Sequence, residues 1–235
     1  MSFDRPMRPM LALAIALLLG APGAEAGMTM LNGVGGSFNV GVKSLKEMRF
    51  RSVVKQQYDF SCGSAALATL LTYNYQRPTT EQDTFKAMYE AGDKAKIQKE
   101  GFSLLDMKRY LESHGYRADG FRVSLDKLAE TGVPAIVLVN INGYMHFVVV
   151  KGVSRDEVLV GDPALGLRRM PRADFESSWN GILFVIHAAK AGMLAHSGFN
   201  SEDVWQQVPR APLGLAVSRE ALASFSLLLP GKNDF

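Results

Sequence analysis

The segment SCGSAALATLLTY, residues 61–73, decides the fold. Small polar residues open it and strong helix formers fill it, so it reads as a largely buried helix with Cys62 in its first turn. Such a helix needs apolar neighbours, and the flanking sequence supplies them. Downstream, Thr79 or Thr80 caps a polar helix reaching about Ala91. Ser103 caps another, through Leu104, Leu105, Met107, Tyr110 and Leu111 to His114, with Gly115 as its stop. From Ser124 the pattern changes. A short helix to Glu130 stops at Gly132, and a β-branched run from Pro134 to Ile141 leads into Asn142-Gly143, the strongest short-range hairpin signal. The return strand runs from His146 to Val153, a third strand from Glu157 to Val160 ends at Gly161-Asp162-Pro163, and a further apolar strand spans Gly181 to His187. Helices followed by an antiparallel meander predict an α+β domain over residues 47–187, with N-terminal helices packed on a C-terminal antiparallel sheet. Alternation from Glu47 to Val54 predicts one short strand before the buried helix.

Outside that domain the sequence is less regular. Residues 1–26 follow an export pattern: Arg5 and Arg8, an apolar run from Met10 to Leu19, and small residues at Ala24 and Ala26. This predicts a signal peptide cleaved after Ala26 and a periplasmic location, with an uncleaved anchor as the alternative. Residues 27–46 are rich in Gly, Asn and Ser and read as a flexible lead-in without sustained periodicity. The Gly35-Gly36 pair within it is either linker or a self-processing site. Residues 188–235 form an extension of unassigned role with one predicted helix from Ser218 to Leu227. The net charge of +3 comes from 26 basic and 23 acidic residues spread along the chain, which argues against a nucleic-acid partner. No later stretch has the length of a membrane span, so no stable span is expected after signal cleavage.

Cys62 is the single cysteine of a chain predicted to be exported, which suggests a reactive thiol, an intermolecular bridge, or simply a small buried hydrophobe. At a helix N-terminus, unpaired N–H groups and the helix dipole favour an anion. Gly63 removes a side chain where a substrate backbone would have to pass, which makes it a candidate substrate-binding residue. His146 starts an apolar strand and Asp162 ends the next one, so a carboxylate could hold an imidazole across an antiparallel pair. Taken singly, a strand-edge His and an Asp-Pro turn are ordinary structural features. His114, His187 and His196 are weaker candidates. One Cys and four scattered His residues give no metal-ligand spacing, so no metal or other cofactor is expected.

The string QQYDFSCGSAAL (56–67), with HFVVV (146–150) and GDP (161–163), resembles the three motifs of cysteine peptidase family 39, the bacteriocin-processing or double-glycine peptidases. That resemblance covers roughly Arg51 to His187 and implies a papain-like fold with Cys62, His146 and Asp162 as catalytic residues. It also implies that Gln56 donates to the oxyanion, with Gln57 as the one-residue alternative. Ser61 departs from the acidic residue that many relatives carry before the cysteine. The familiar members are cytoplasmic domains fused to an ATP-driven exporter, whereas this chain has no GxxxxGK[ST] loop. It more nearly resembles the stand-alone periplasmic member of the functional-amyloid (Fap) biofilm system. The implied function is a cysteine endopeptidase cutting a secreted polypeptide, an amyloid subunit or its outer-membrane exporter, at a small-residue or Gly-Gly site. The competing expectation is a silent papain-like binding module or chaperone. A redox protein fits less well, because it would use a second cysteine.

Overall fold

The computed structural model describes residues 27–33, 36–42, 44–189 and 198–208. The proposed export signal, Gly35 and the helix expected from Ser218 therefore lie outside the described residues.

Two units are described separately. The first contains an antiparallel hairpin of β1 (Gly27–Gly33) and β2 (Gly36–Val42), in register from Gly27↔Val42 to Gly33↔Gly36. The sequence reading expected irregular chain here. Alternation of Phe38, Val40 and Val42 was present, but it was outweighed by the surrounding glycines and asparagines.

The second unit begins with a correction. The strand expected from Glu47 is instead helix α1 (Leu45–Arg49), because Ser44 and Glu47 form a reciprocal capping box at 3.1 and 2.8 Å. Four helices follow: α2 (Cys62–Asn74), α3 (Glu81–Ala91), α4 (Lys94–Glu100) and α5 (Leu104–Ser113). Thr80 with Asp83 and Ser103 with Asp106 supply capping boxes at the expected starts of α3 and α5. Helix α5 gives way to β3 (Tyr116–Arg122), then α6 (Leu125–Thr131), whose Gly132 C-cap adopts φ +65°.

Strands β4 (Ala135–Ile141) and β5 (Tyr144–Val153) form the predicted hairpin, with Asn142 and Gly143 both at positive φ. The chain continues through β6 (Glu157–Asp162), β7 (Gly166–Pro171), α7 (Arg172–Ser178) and β8 (Trp179–Ala189). The six strands order as β3-β8-β4-β5-β6-β7, all antiparallel. This is the expected α+β architecture, helices first and sheet second.

The core explains why α2 lacks a polar face. Its Leu67, Leu70 and Leu71 pack among Met107 and Leu111 of α5 and Ile136, Val149, Phe184 and Ile186 of the sheet. A second cluster joins Leu125 and Leu128 of α6 and Phe175 of α7 to Val137, Val148, Val150 and Leu183. Truncating a leucine such as Leu67 to alanine costs about 2–5 kcal/mol by cavity formation. The packing thus fixes the first turn of α2 against the sheet that carries His146 and Asp162.

The segment 198–208, with α8 (Glu202–Gln206), docks on β5 and β7. Asn200 donates its N–H to Lys151 O at 3.0 Å and accepts from Val153 N–H at 2.7 Å, while Arg169 lies 4.8 Å over the Trp205 ring. Among the described residues no helix is long and apolar enough to cross a membrane.

Candidate active site

Cys62 begins α2 and is 6% exposed. Ser61, the N-cap residue, makes no side-chain cap bond, so the first-turn N–H groups have no hydroxyl or carboxylate of that residue to satisfy them. A free thiol here stands where backbone donors converge.

His146 and Asp162 come from neighbouring strands. The register sets Val149 against Gly161, and Asp162, the last residue of β6, reaches His146 diagonally, with Nε2 and Oδ1 2.8 Å apart. Both are almost fully buried. Asp162 Oδ1 also accepts from the N–H groups of Ala164 at 2.9 Å and Leu165 at 3.2 Å, and Arg168 Nε donates to Oδ2 at 3.3 Å. The turn that follows β6 therefore holds the carboxylate rigidly.

Electrostatics follow from that geometry. Burial opposes charge on His146, but hydrogen bonding and attraction from Asp162 and Cys62 outweigh it and lift the ring to about 9. Burial likewise opposes the Asp162 anion, yet His146, the Ala164 N–H and Arg168 hold its carboxyl below the usual range. Nε2 faces the carboxylate, while Nδ1 is buried without a partner in hydrogen-bond geometry. The ring is thus charged at neutral pH, with Asp162 on its Nε2 side and Cys62 close by.

Gln56 is held beside the same turn. Its N–H donates to Pro163 O at 3.0 Å, its side-chain Nε2 donates to Tyr58 O at 3.1 Å, and its Oε1 is buried without a partner. Gln57 is exposed and contributes only its N–H, to Glu81, at 3.1 Å. Of the two glutamines considered from sequence, Gln56 is the one tied to the turn that carries Asp162.

Gly63 also has a packing role. A Cβ there would meet Met107 Cε at 2.9 Å and Phe102 Cβ at 3.0 Å, so the missing side chain eases the approach of α5 and its preceding loop to α2.

Sequence reasoning passed over two neighbours. Tyr144 stacks on His146 with centroids 5.7 Å apart, and its hydroxyl donates to Asp59 O at 2.9 Å. Burial and the negative charges of Cys62, Asp59 and Asp162 raise the Tyr144 pKa against a smaller opposing effect of Gln56, which places the phenol among these groups. Its position in the hairpin signal was visible, but its reach across 85 residues was not. Glu81 is the other, a buried carboxylate bound to the loop that joins Gln56 to Cys62.

Beside Cys62 runs a groove of about 910 Å³. Phe60, Phe102, Leu104, Leu138, Met145 and Phe147 make it apolar, and Lys96 and Lys99 stand at its border. The arrangement supplies a nucleophile, a charged base with an orienting carboxylate, a nearby amide, and an extended apolar channel of the sort a polypeptide can occupy.

Residues 51–191 match the model of the Peptidase C39 family. The chain is 43% identical over 176 residues to a probable functional amyloid protease, FapD, of Pseudomonas fluorescens, covering 74% of this chain and 77% of that one. It is 44% identical over 176 residues to the protein of the same description from Pseudomonas aeruginosa, covering 75% and 77%. Among solved structures, the peptidase domain of Streptococcus ComA is 21% identical, covering 57% of this chain and 96% of that one, with a TM-score of 0.49.

Proposed function

Because the chain belongs to the Peptidase C39 family and is a cysteine peptidase, we propose that Cys62 is its nucleophile, His146 its acid and base, Asp162 the orienter of His146, and Gln56 an oxyanion donor. The observation that carries this reading is the buried 2.8 Å His146–Asp162 pair set against Cys62 at the first turn of α2.

The steps follow from the positions. An imidazolium beside a thiol favours the thiolate, whose sulfur attacks the peptide carbonyl carbon. Negative charge gathers on the carbonyl oxygen, where the Cys62 N–H and the Gln56 amide can donate once the amide leaves Tyr58 O. His146 gives its proton to the departing amine, and an acyl-enzyme remains. Water then adds as His146 takes its proton, and the thioester breaks to regenerate the thiol. Throughout, Asp162 keeps the ring oriented and favours its charged state.

The substrate in this reading is a secreted polypeptide of a functional-amyloid or biofilm system, a fibre subunit or part of its outer-membrane exporter, cut at a small-residue or Gly-Gly site. The names of the two Pseudomonas relatives support that context. The apolar groove beside Cys62 supports an extended polypeptide as the ligand class. Residues 1–26 would direct export to the periplasm, residues 47–187 would form the peptidase domain, and residues 188–235 an extension, of which 198–208 docks on β5 and β7.

Mass spectrometry of periplasmic and extracellular proteins from cells with wild-type protein or Cys62→Ala tests the reading. The expected result is a neo-N-terminus after small residues that disappears with the thiol. Unchanged processing, with both proteins still binding a secreted client, would make the chain a papain-like binding module instead.

A further inference from the structure

The loop from Gln56 to Cys62 is held by a buried carboxylate that the reaction does not consume. Glu81, the first residue of α3, is 3% exposed, and among the described residues no Lys, Arg or His forms an ion pair with it. An exposed carboxylate would serve the N-terminus of α3 equally well, and burial of a carboxylate is unfavourable unless it is well hydrogen-bonded. The hydrogen bonds it makes therefore identify its task.

Oε1 of Glu81 accepts from the Gln57 N–H at 3.1 Å and from the Ser61 hydroxyl at 2.5 Å. Those are the residue after Gln56 and the residue before Cys62. Ser61 is fully buried, and its hydroxyl oxygen also accepts from the Tyr58 N–H at 3.1 Å. Its single proton lies nearer the carboxylate than Tyr58 O, which is 2.9 Å away. Helix α3 is itself fastened to the first turn of α2, since the Thr84 hydroxyl lies 3.1 Å from Ser64 O. One carboxylate oxygen thus ties both ends of the five-residue span from Gln57 to Ser61 to α3, which is in turn fastened to the helix that carries Cys62.

We propose that Glu81 is a positioning residue that sets the spacing between the two oxyanion donors, the Gln56 amide and the Cys62 N–H. This rests on the assignment of Cys62 and Gln56 above. It also accounts for Ser61, which has no acidic side chain of its own and donates its hydrogen bond to the carboxylate that α3 supplies. Oxyanion donors act only when placed within a few tenths of an ångström of the developing charge, so loosening the span lowers turnover more than binding.

The test is a double-variant cycle on the full chain with a fluorogenic acyl-Gly-Gly amide, alongside alkylation of Cys62 by iodoacetamide, which forms no oxyanion. Glu81→Ala is expected to lower kcat roughly 10- to 100-fold with KM changed less than about threefold, and to leave the alkylation rate within about twofold. In a Gln56→Ala background the same change should cost less than about threefold, because the donor it positions is already gone. Glu81→Gln, which keeps an acceptor oxygen, should retain at least about a third of the wild-type kcat. Multiplicative losses in the double variant, or an alkylation rate that falls with kcat, would overturn the proposal. Should Glu81→Ala fail to fold, Ser61→Ala removes one of the two ties and carries the same cycle. If Gln56→Ala and Cys62→Ala hydrolyse the amide as fast as wild type, the active-site assignment fails, separately from the role of Glu81.

Discussion

Strand β5 holds two buried bases five residues apart, and they have opposite fates. His146 is 3% exposed and Lys151 is 1% exposed, so burial alone would make both shed their protons. His146 faces Asp162 and is lifted to about 9. Among the described residues Lys151 donates only to neutral oxygens, Ser52 O and Asn74 Oδ1, each at 3.1 Å, with its ammonium 5.5 Å above the Tyr73 ring, and burial pushes it down to about 7. The ordinary order of the two groups is inverted: at pH 8 the imidazole keeps its proton and most of the amine has lost its own. A carboxylate partner, not depth, decides which buried base is charged, and the site of chemistry is where that partner was placed.

The two groups also pull stability in opposite directions. Since the folded value of His146 lies above its unfolded 6.5, its contribution is complete below 6.5 and is lost as pH rises through about 9. Since the folded value of Lys151 lies below its unfolded 10.5, the folded state is penalised most below about 7 and is relieved as pH rises toward 10.5. Between 7 and 9 the effects oppose one another.

Removing the carboxylate breaks the contrast with the largest effect. Asp162→Asn removes the carboxylate that Lys151 also lacks and leaves Cys62 as the remaining group that favours charge on His146. Hydrolysis at pH 8 should fall by about 10²–10⁴-fold. The alkaline limb of the pH–rate profile should also move from about 9 toward or below 6.5. A limb that stays near 9 would show that Asp162 does not set the charge of the ring. The next effect sharpens the other side. Comparing urea unfolding of wild type and Lys151→Met across pH, the difference should shift in favour of wild type as pH rises from 7 to 10.5, by up to about 1.4 kcal/mol per unit. A difference independent of pH would mean that Lys151 titrates as an exposed lysine does.

How much of this was legible beforehand depends on whether the signal is local. Thr80 and Ser103 declare their helices through hydroxyls that bond three residues ahead, and Asn142-Gly143 declares its hairpin through positive φ. The sequence analysis also singled out Cys62, His146, Asp162 and Gln56; of these, the fold joins His146 to Asp162 beside Cys62 and ties the Gln56 N–H to Pro163 O on the turn after β6. It passed over β3, whose Tyr116–Arg122 run mixes charges and glycine because its far end is exposed, and β7, where Arg168 and Arg169 point to partners on β6 and beyond. Lys151 lies inside a predicted strand and Glu81 at the start of a predicted helix, with no local signal that marks either. Both are defined by bonds spanning 20 to 99 residues, which no window of sequence contains.

The smallest expected effect asks whether the two ends of β5 are independent. Gly161 lies on β6 next to Asp162, yet a Cβ there would meet Lys151 Cδ at 3.1 Å and Val53 Cγ2 at 3.3 Å, the Lys151 side of the comparison. Both neighbours must yield a few tenths of an ångström, and the lysine stem can do so more easily than packed Val53. Gly161→Ala should therefore cost about 1 kcal/mol in thermal unfolding, at the low end for overpacking. Asp162 keeps its bonds to His146, to the N–H groups of Ala164 and Leu165, and to Arg168, none of which involves Gly161. The alkaline limb should accordingly stay at about 9. If the limb moves while the unfolding temperature does not, strain at Gly161 is passing along β6 into the carboxylate, and the charge of His146 depends on the lysine end of the strand as well as on Asp162.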